Sequence, residues 1–403
     1  MRAFRSWVPL LLSALLFAAC GGGDPDVPGS GSTSGAPTTK GTFTAVVSFG
    51  DSLSDVGAYS PATSLAGNGQ PPYFGGKFTT NDTTNGTPTT TPLGKVWVEN
   101  LAAALGIVVT PAEVGFGASS VKCPAAAVPA LAATCTAYGQ GGSRVTDPNG
   151  IGKTTGALTV PVVTQIVNHL ARFGSFKASD LVFVYAGNND VFVQFGAFTT
   201  AAAQIQAAAA AGTISSDEAN RQLFAAQTAA QAAMKQAAQE QVALIKSQIL
   251  AKGGKYVAVM TLSDIGDTPF GTSAQVAPAK TVLTQLSQIF NLWLRDGLTG
   301  QPVQIIDTFT IFKDGYANPA KFGIVNNTVP ACDAAKIQAV TRGAVTDGSS
   351  LFCNATPGAP YNGLRAGADV NTWQFADSVH PTTGGHKIIS DAFRAQLQAF
   401  GWI

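Results

Sequence analysis

Four stretches of the chain are rich in β-branched and apolar residues and end in loops: residues 44–49, 181–185, 256–262 and 303–309. Their hydrophobicity is continuous rather than alternating. That predicts strands buried on both faces, as in a parallel sheet. Between them apolar positions recur at helical spacing, at 95–105 (KVWVENLAAAL), 160–173 and in an Ala-rich stretch over 201–252. Strands alternating with helices predict a doubly wound α/β layer. Gly212 interrupts the Ala-rich stretch, residues 215–218 (SSDE) read as a fresh capping box, and Gly253-Gly254 supplies a stop. The second helix of that stretch would run about 35 residues, or about 50 Å at the usual rise. A parallel crossover needs far less, so part of it is expected to overhang, as a long crossover or as a lid or partner surface.

The N-terminal pattern is of another kind. Arg2 and Arg5 precede an apolar run at 8–17, and Ala18 and Ala19 follow. This is a secretory signal pattern, too short for the ~20 residues of a membrane-spanning helix. Its end, LLFAAC, resembles a bacterial lipobox with Cys20 as the lipidated residue; cleavage near Ala19 is the alternative. Residues 21–40 are Gly, Ser, Pro and Thr with almost nothing to bury, and read as a flexible tether. The expected organisation is a signal peptide over 1–20, a linker over 21–42 and one domain over 43–403. The helical insertion falls around 197–252. The expected location is outside the cytoplasm: an outer-membrane lipoprotein, or a periplasmic or extracellular protein.

Composition narrows the picture. With 403 residues, 45% hydrophobic and 12% charged, the chain can bury a sizeable core. Net charge is +1 and no basic stripe is visible, so a nucleic-acid partner is not expected. Setting Cys20 aside leaves four cysteines, an even number in an exported chain. Of the three possible pairings the local one joins Cys123 to Cys135 and Cys332 to Cys353. Each bridge would contribute on the order of 3 kcal/mol by loop entropy.

The chemistry gathers at strand ends, where doubly wound sheets bind ligands. The first strand runs into SFGDSLSDVG, placing Ser52 just past its end between Asp51 and Asp55. A nucleophilic serine needs a base, and there are three histidines. His169 (QIVNHLARF) sits mid-helix between apolar positions and reads as a surface or packing residue, whereas His386 opens an apolar helix after Gly384-Gly385 and reads as a helix-terminus residue. His380 lies in FADSVHP, with Asp377 three residues earlier on a tight turn that can reach Nδ1 and leave Nε2 to the serine. Donors for an oxyanion are available in VYAGNND (Asn188, Asn189) and AYGQGGSRV (Gly141, Gly142). Singly each stretch reads as a turn; together they form a candidate acyl-transfer site. GIGKTT at 150–155 mimics a phosphate loop, but Asp147 stands where its first glycine belongs. No metal-ligand spacing is present, and neither metal nor cofactor is expected.

FGDSLSDVG, YGQGGSR, GNND and DSVHP resemble the four blocks of the GDSL family, the SGNH hydrolases, in the family's order. GGKFTTN with KVWVENLAAALG, and MTLSDIGDTP, resemble segments of its lipase/esterase-type branch. The resemblance covers about residues 43–403, with insertions at 82–94, 120–137, 197–235 and 325–368. It implies a flavodoxin-like three-layer α/β/α sandwich. It also implies Ser52 as nucleophile with Asp377 and His380 as its partners, and the Ser52 N–H, Gly142 N–H and Asn189 side chain as oxyanion donors. The expected function is a secreted serine carboxylic ester hydrolase with an acyl-enzyme intermediate, acting on a small-molecule, lipid or polymer ester. The alternatives are an acyltransferase or phospholipase of the same fold, or an idle surface lipoprotein.

Overall fold

The computed structural model describes residues 31–65, 75–82, 94–359 and 361–403. The signal peptide, Cys20 and nearly all of the 82–94 insertion lie outside the described residues. Along the chain, β1 (Ala45–Gly50) is followed by α1 (Ser60–Leu65), α2 (Trp97–Ala104) and a hairpin of β2 (Glu113–Phe116) and β3 (Ser119–Lys122). Then come α3 (Val162–Phe173), β4 (Asp180–Tyr185), α4 (Asn188–Ala210) and α5 (Ser216–Leu244). The order closes with β5 (Tyr256–Met260), α6 (Pro269–Thr272), α7 (Lys280–Gly297), β6 (Gln304–Ile306), α8 (Thr308–Ala317), α9 (Ala334–Val340) and α10 (Thr383–Ala399).

The central sheet is parallel throughout, in the order β1-β4-β5-β6, with Ala45 opposite Asp180 and Gly50 opposite Tyr185. Residues 136–140 extend it beyond β1. Ser48 N–H donates to Thr136 O (3.0 Å), and Tyr138 N–H to Ser48 O (2.8 Å). The chain therefore places its second extended segment on one side of β1 and the later strands on the other, which makes the end of β1 a topological switch point.

Side chains alternate across each strand, so the sheet has two apolar faces. Val47, Phe49, Val182, Val184 and Val257 pack on Ile166 of α3, Val191 of α4, Met234 of α5 and Phe290 of α7. Val46, Leu181, Phe183, Met260 and Ile306 pack on Trp97 and Leu101 of α2 and Phe393 of α10. Trp97 meets Phe183 and Phe393 edge-on, with ring centroids 5.3 and 4.9 Å away. This is the three-layer α/β/α arrangement expected of strands that read as apolar on both faces.

Element boundaries differ where a polar side chain ends a run. The apolar run 303–309 stops being strand at Ile306, because Asp307 caps α8 by accepting the Thr310 N–H (3.3 Å). The Ala-rich helix starts well before residue 201. Gly187 takes φ 116°, turning the chain sharply from β4 into α4, and a Cβ there would lie 2.7 Å from the Phe290 ring. GNND is thus the first turn of a helix. Ser215 caps α5 as expected, accepting the Glu218 N–H (3.2 Å). Between residues 216 and 229 of α5 only Ala219 is buried, which fits an overhanging end; from Ala230 onward the helix enters the core. The β2–β3 hairpin leaves no signal in the sequence: its strands are four residues each, and β3 is exposed along its length.

The cysteines pair locally, Cys123 with Cys135 and Cys332 with Cys353, at Cα separations of 5.3 and 6.0 Å. The stretch expected to be a tether is anchored where it is described. Ser34 N–H donates to Gln301 O (3.0 Å), Gly41 N–H to Trp402 O (2.9 Å), and Trp402 Nε1–H to Pro37 O (2.7 Å).

Of the surface and packing roles its sequence leaves open, His169 has the packing one. It is buried, stacked on Phe176 (centroids 4.4 Å apart), and its ring nitrogens have no hydrogen-bond partner among the described residues. Burial pushes its imidazole down to about 4. A depressed folded pKa gives stability that is present above the unfolded value near 6.5 and lost as pH falls toward 4. By that linkage the wild type gives up about 2 kcal/mol at pH 5 through this group. His169→Phe should therefore match the wild-type melting temperature at pH 8 and exceed it at pH 5. Equal melting temperatures at both pH values would contradict the assignment.

Candidate active site

Ser52 is held at the sheet edge by its neighbours. Asp51 caps a 3₁₀ turn over Ser52–Ser54, its Oδ1 accepting the Leu53 N–H (3.1 Å), and its Oδ2 accepts Asn188 Nδ2–H (3.0 Å). Asp55 accepts three backbone N–H groups, from Gly57 (2.9 Å), Ala58 (2.7 Å) and Gly141 (2.9 Å). Both acids are fully buried, and burial pushes each up to about 6 against the pull of those hydrogen bonds. The two acids beside the serine thus brace loops; no hydrogen bond joins either to His380 among the described residues.

Ser52 Oγ lies 2.8 Å from His380 Nε2. On the far side of the ring, Nδ1 sits 2.9 Å from Asp377 Oδ1 and 2.8 Å from Oδ2. The carboxylate also accepts the N–H groups of His380 (2.7 Å), Val379 (2.9 Å) and Ser350 (2.8 Å). Burial opposes its charge, but the adjacent imidazole and the hydrogen bonds from His380 and Ser350 outweigh it and hold Asp377 well below the usual carboxylate range. An ionised carboxylate can only accept, so Nδ1 carries the ring proton and Nε2 is left to accept from the serine hydroxyl. That is the tautomer a general base requires. Phe78 covers the imidazole, ring centroids 4.8 Å apart.

The two expected donor stretches lie beside this chain of contacts. Gly141 N–H is committed to Asp55. Gly142 N–H has no hydrogen-bond partner among the described residues. Gly142 takes φ 78°, and a Cβ there would fall 2.0 Å from Ile151 O, so only glycine fits. Asn189 Nδ2 donates to Ser143 O (2.8 Å), which orients the amide and uses one of its two N–H bonds. The stretches are tied together by Asp190, whose carboxylate takes Arg144 Nε–H (2.9 Å) and Val145 N–H (3.1 Å). Ser52, Gly142, Asn189 and His380 line one cleft of about 840 Å³. Phe116 of the hairpin, Ile151, Phe192, Leu351 and Phe352 make much of its surface apolar.

The family model for GDSL-like lipase/acylhydrolase matches residues 46–393. The chain belongs to that family. Among curated proteins it is similar to Esterase EstA of Pseudomonas aeruginosa and to Esterase EstA of Pseudomonas putida. Each is 31% identical over 151 residues, 36% of this chain and 20% of the relative. The match thus spans about a fifth of the length of these relatives.

Every candidate residue of the GDSL-like blocks reaches the cleft, and Asp377 sits behind His380. His386 does not. It is buried in the first turn of α10, where Nδ1 accepts the Trp97 N–H (3.3 Å) and Nε2 lies 3.3 Å from Phe78 O. Burial pushes it down to about 3, so it stays neutral. Sequence reasoning missed Phe78 and Ser350. Phe78 lies in GGKFTTN, a stretch set apart only by its family resemblance; Ser350 stands in an insertion with no signal at all.

Proposed function

We propose that the protein is an exported serine ester hydrolase, with Ser52 as nucleophile and His380 as base. Ser52 Oγ attacks the ester carbonyl while Nε2 takes its proton, and Asp377 balances the charge on the imidazolium. The Ser52 and Gly142 N–H groups and the second Asn189 N–H receive the oxyanion. His380 returns its proton to the departing alcohol, leaving an acyl-serine. It then takes a proton from the attacking water, and the acid departs as Ser52 is restored. The observation that carries this reading is the unbroken chain from Ser52 Oγ through both ring nitrogens to an ionised Asp377. The apolar cleft favours esters with apolar acyl groups.

The direct assay is hydrolysis of p-nitrophenyl esters from acetate to palmitate, with and without an added alcohol. Turnover with free acid as product supports a hydrolase. Transfer to the alcohol in preference to water would make it an acyltransferase, and no turnover would make it a binding protein on a hydrolase fold. Asn189→Ala should lower kcat roughly 10²- to 10³-fold, the scale of one lost oxyanion donor. A loss under tenfold would move that role to Asn188. Export rests on the Arg2–Arg5 leader pattern and on two disulfides, which persist in oxidising compartments. Fatty-acid labelling of the wild type but not of Cys20→Ser would establish the lipid anchor; labelling of both or neither would remove it.

A further inference from the structure

Among its backbone donors, Asp377 takes two from its own turn, Val379 and His380, and a third from elsewhere. Ser350 donates its N–H to Oδ2 (2.8 Å) from the 325–368 insertion. Both sides of that contact are fastened. Ser350 opens the 3₁₀ turn Ser350–Phe352 that ends at Cys353, and Cys353 is bridged to Cys332. Cys332 N–H in turn donates to Ala376 O (2.9 Å), the residue before Asp377. The bridge therefore joins the loop that carries the donor to the segment that carries the acceptor.

A second clamp comes from the GGKFTTN segment. Asn81 Nδ2 donates to Ser350 O (2.8 Å), and Asn81 N–H to Cys353 O (2.9 Å). Gly76 N–H donates to Leu351 O (2.9 Å). The same segment lays Phe78 over the His380 ring. One short stretch, residues 75–82, thus touches both the base and the loop that steadies the acid.

We propose that Asn81 and Ser350 are positioning residues for the triad, and that the Cys332–Cys353 bridge keeps them in register with Asp377. This rests on the Ser52–His380–Asp377 reading. Without the Ser350 N–H the carboxylate is free to turn away from Nδ1, and His380 loses the partner that fixes its tautomer. The consequence is a loss in kcat without a matching change in KM, because none of these groups faces the ester directly.

Ser350→Pro isolates the contact. Proline removes the N–H and is favoured at the first position of a helical turn, and Ser349 has ψ 128°, the extended conformation a following proline requires. Its kcat on p-nitrophenyl acetate should fall roughly tenfold or more, the scale of one hydrogen bond to a charged group, with KM little changed. Ser350→Ala keeps the N–H and should restore most of the rate. The paired variant Cys332→Ser/Cys353→Ser should lower kcat likewise, whereas Cys123→Ser/Cys135→Ser should leave kcat unchanged; this pair also carries the test if Ser350→Pro does not fold. A folded Ser350→Pro with wild-type kcat would overturn the proposal. So would an equal loss in Ser350→Ala, or equal losses on opening either bridge. Ser52→Ala, run alongside, separates the two readings. If it is inactive while the positioning variants are normal, only this proposal fails; if it is active, the triad reading fails first.

Discussion

Ser52→Ala should lower kcat by roughly 10⁴- to 10⁶-fold, the range seen when a serine nucleophile is removed from a cooperating set. The size follows from the geometry. Oγ lies 2.8 Å from Nε2, and without it the base is left to activate water. Folding should be untouched. Ser52 is 8% exposed and lines an open cleft, so losing its hydroxyl leaves no sealed cavity. A circular dichroism melt superimposable on the wild type, with turnover at the assay background, is the expected pair of results. Ser54, two residues on and fully buried, offers no substitute nucleophile.

Asp377→Asn should cost roughly 10⁴-fold in kcat. The carboxylate takes three backbone N–H groups as well as the imidazole Nδ1–H. A carboxamide has one oxygen to offer where two are used. If its NH₂ faces Nδ1, the ring must carry its proton on Nε2 and cannot accept from Ser52. If the NH₂ faces the backbone instead, it meets N–H donors, and an unmade buried hydrogen bond costs about 1–3 kcal/mol of stability. Both effects push the same way: kinetics should show the large loss and melting a modest one. Near-normal turnover in a folded Asp377→Asn would mean that His380 is oriented by something else.

The sheet is legible in the sequence because its strands are continuous apolar runs, too short for buried helices and separated by segments of helical period. Ser52, His380 and Asp377 are legible because local rules bind them: a strand-end turn in one case, a three-residue spacing in the other. Asn189 is legible as a residue at a strand end but not as part of a helix, since α4 begins at the motif itself. Gly187, a glycine just after a strand, is the one mark of that start. The clamp on Asp377 leaves no such mark. Ser350 and Asp377 are 27 positions apart, Asn81 and Ser350 are 269 apart, and a backbone donor places no demand on side-chain identity. The hairpin escapes for a related reason, because short exposed strands carry no periodic apolar face.

The central claim is that Ser52 is the group that becomes acylated. A fluorophosphonate reacts with a serine only when a neighbouring base has made it nucleophilic, and the adduct survives proteolysis. Labelled wild-type protein, digested and mapped by mass spectrometry, should carry a single stoichiometric adduct on the peptide holding Ser52. His380→Ala should carry almost none. An adduct on another serine, or undiminished labelling of Ser52 in His380→Ala, would contradict the account.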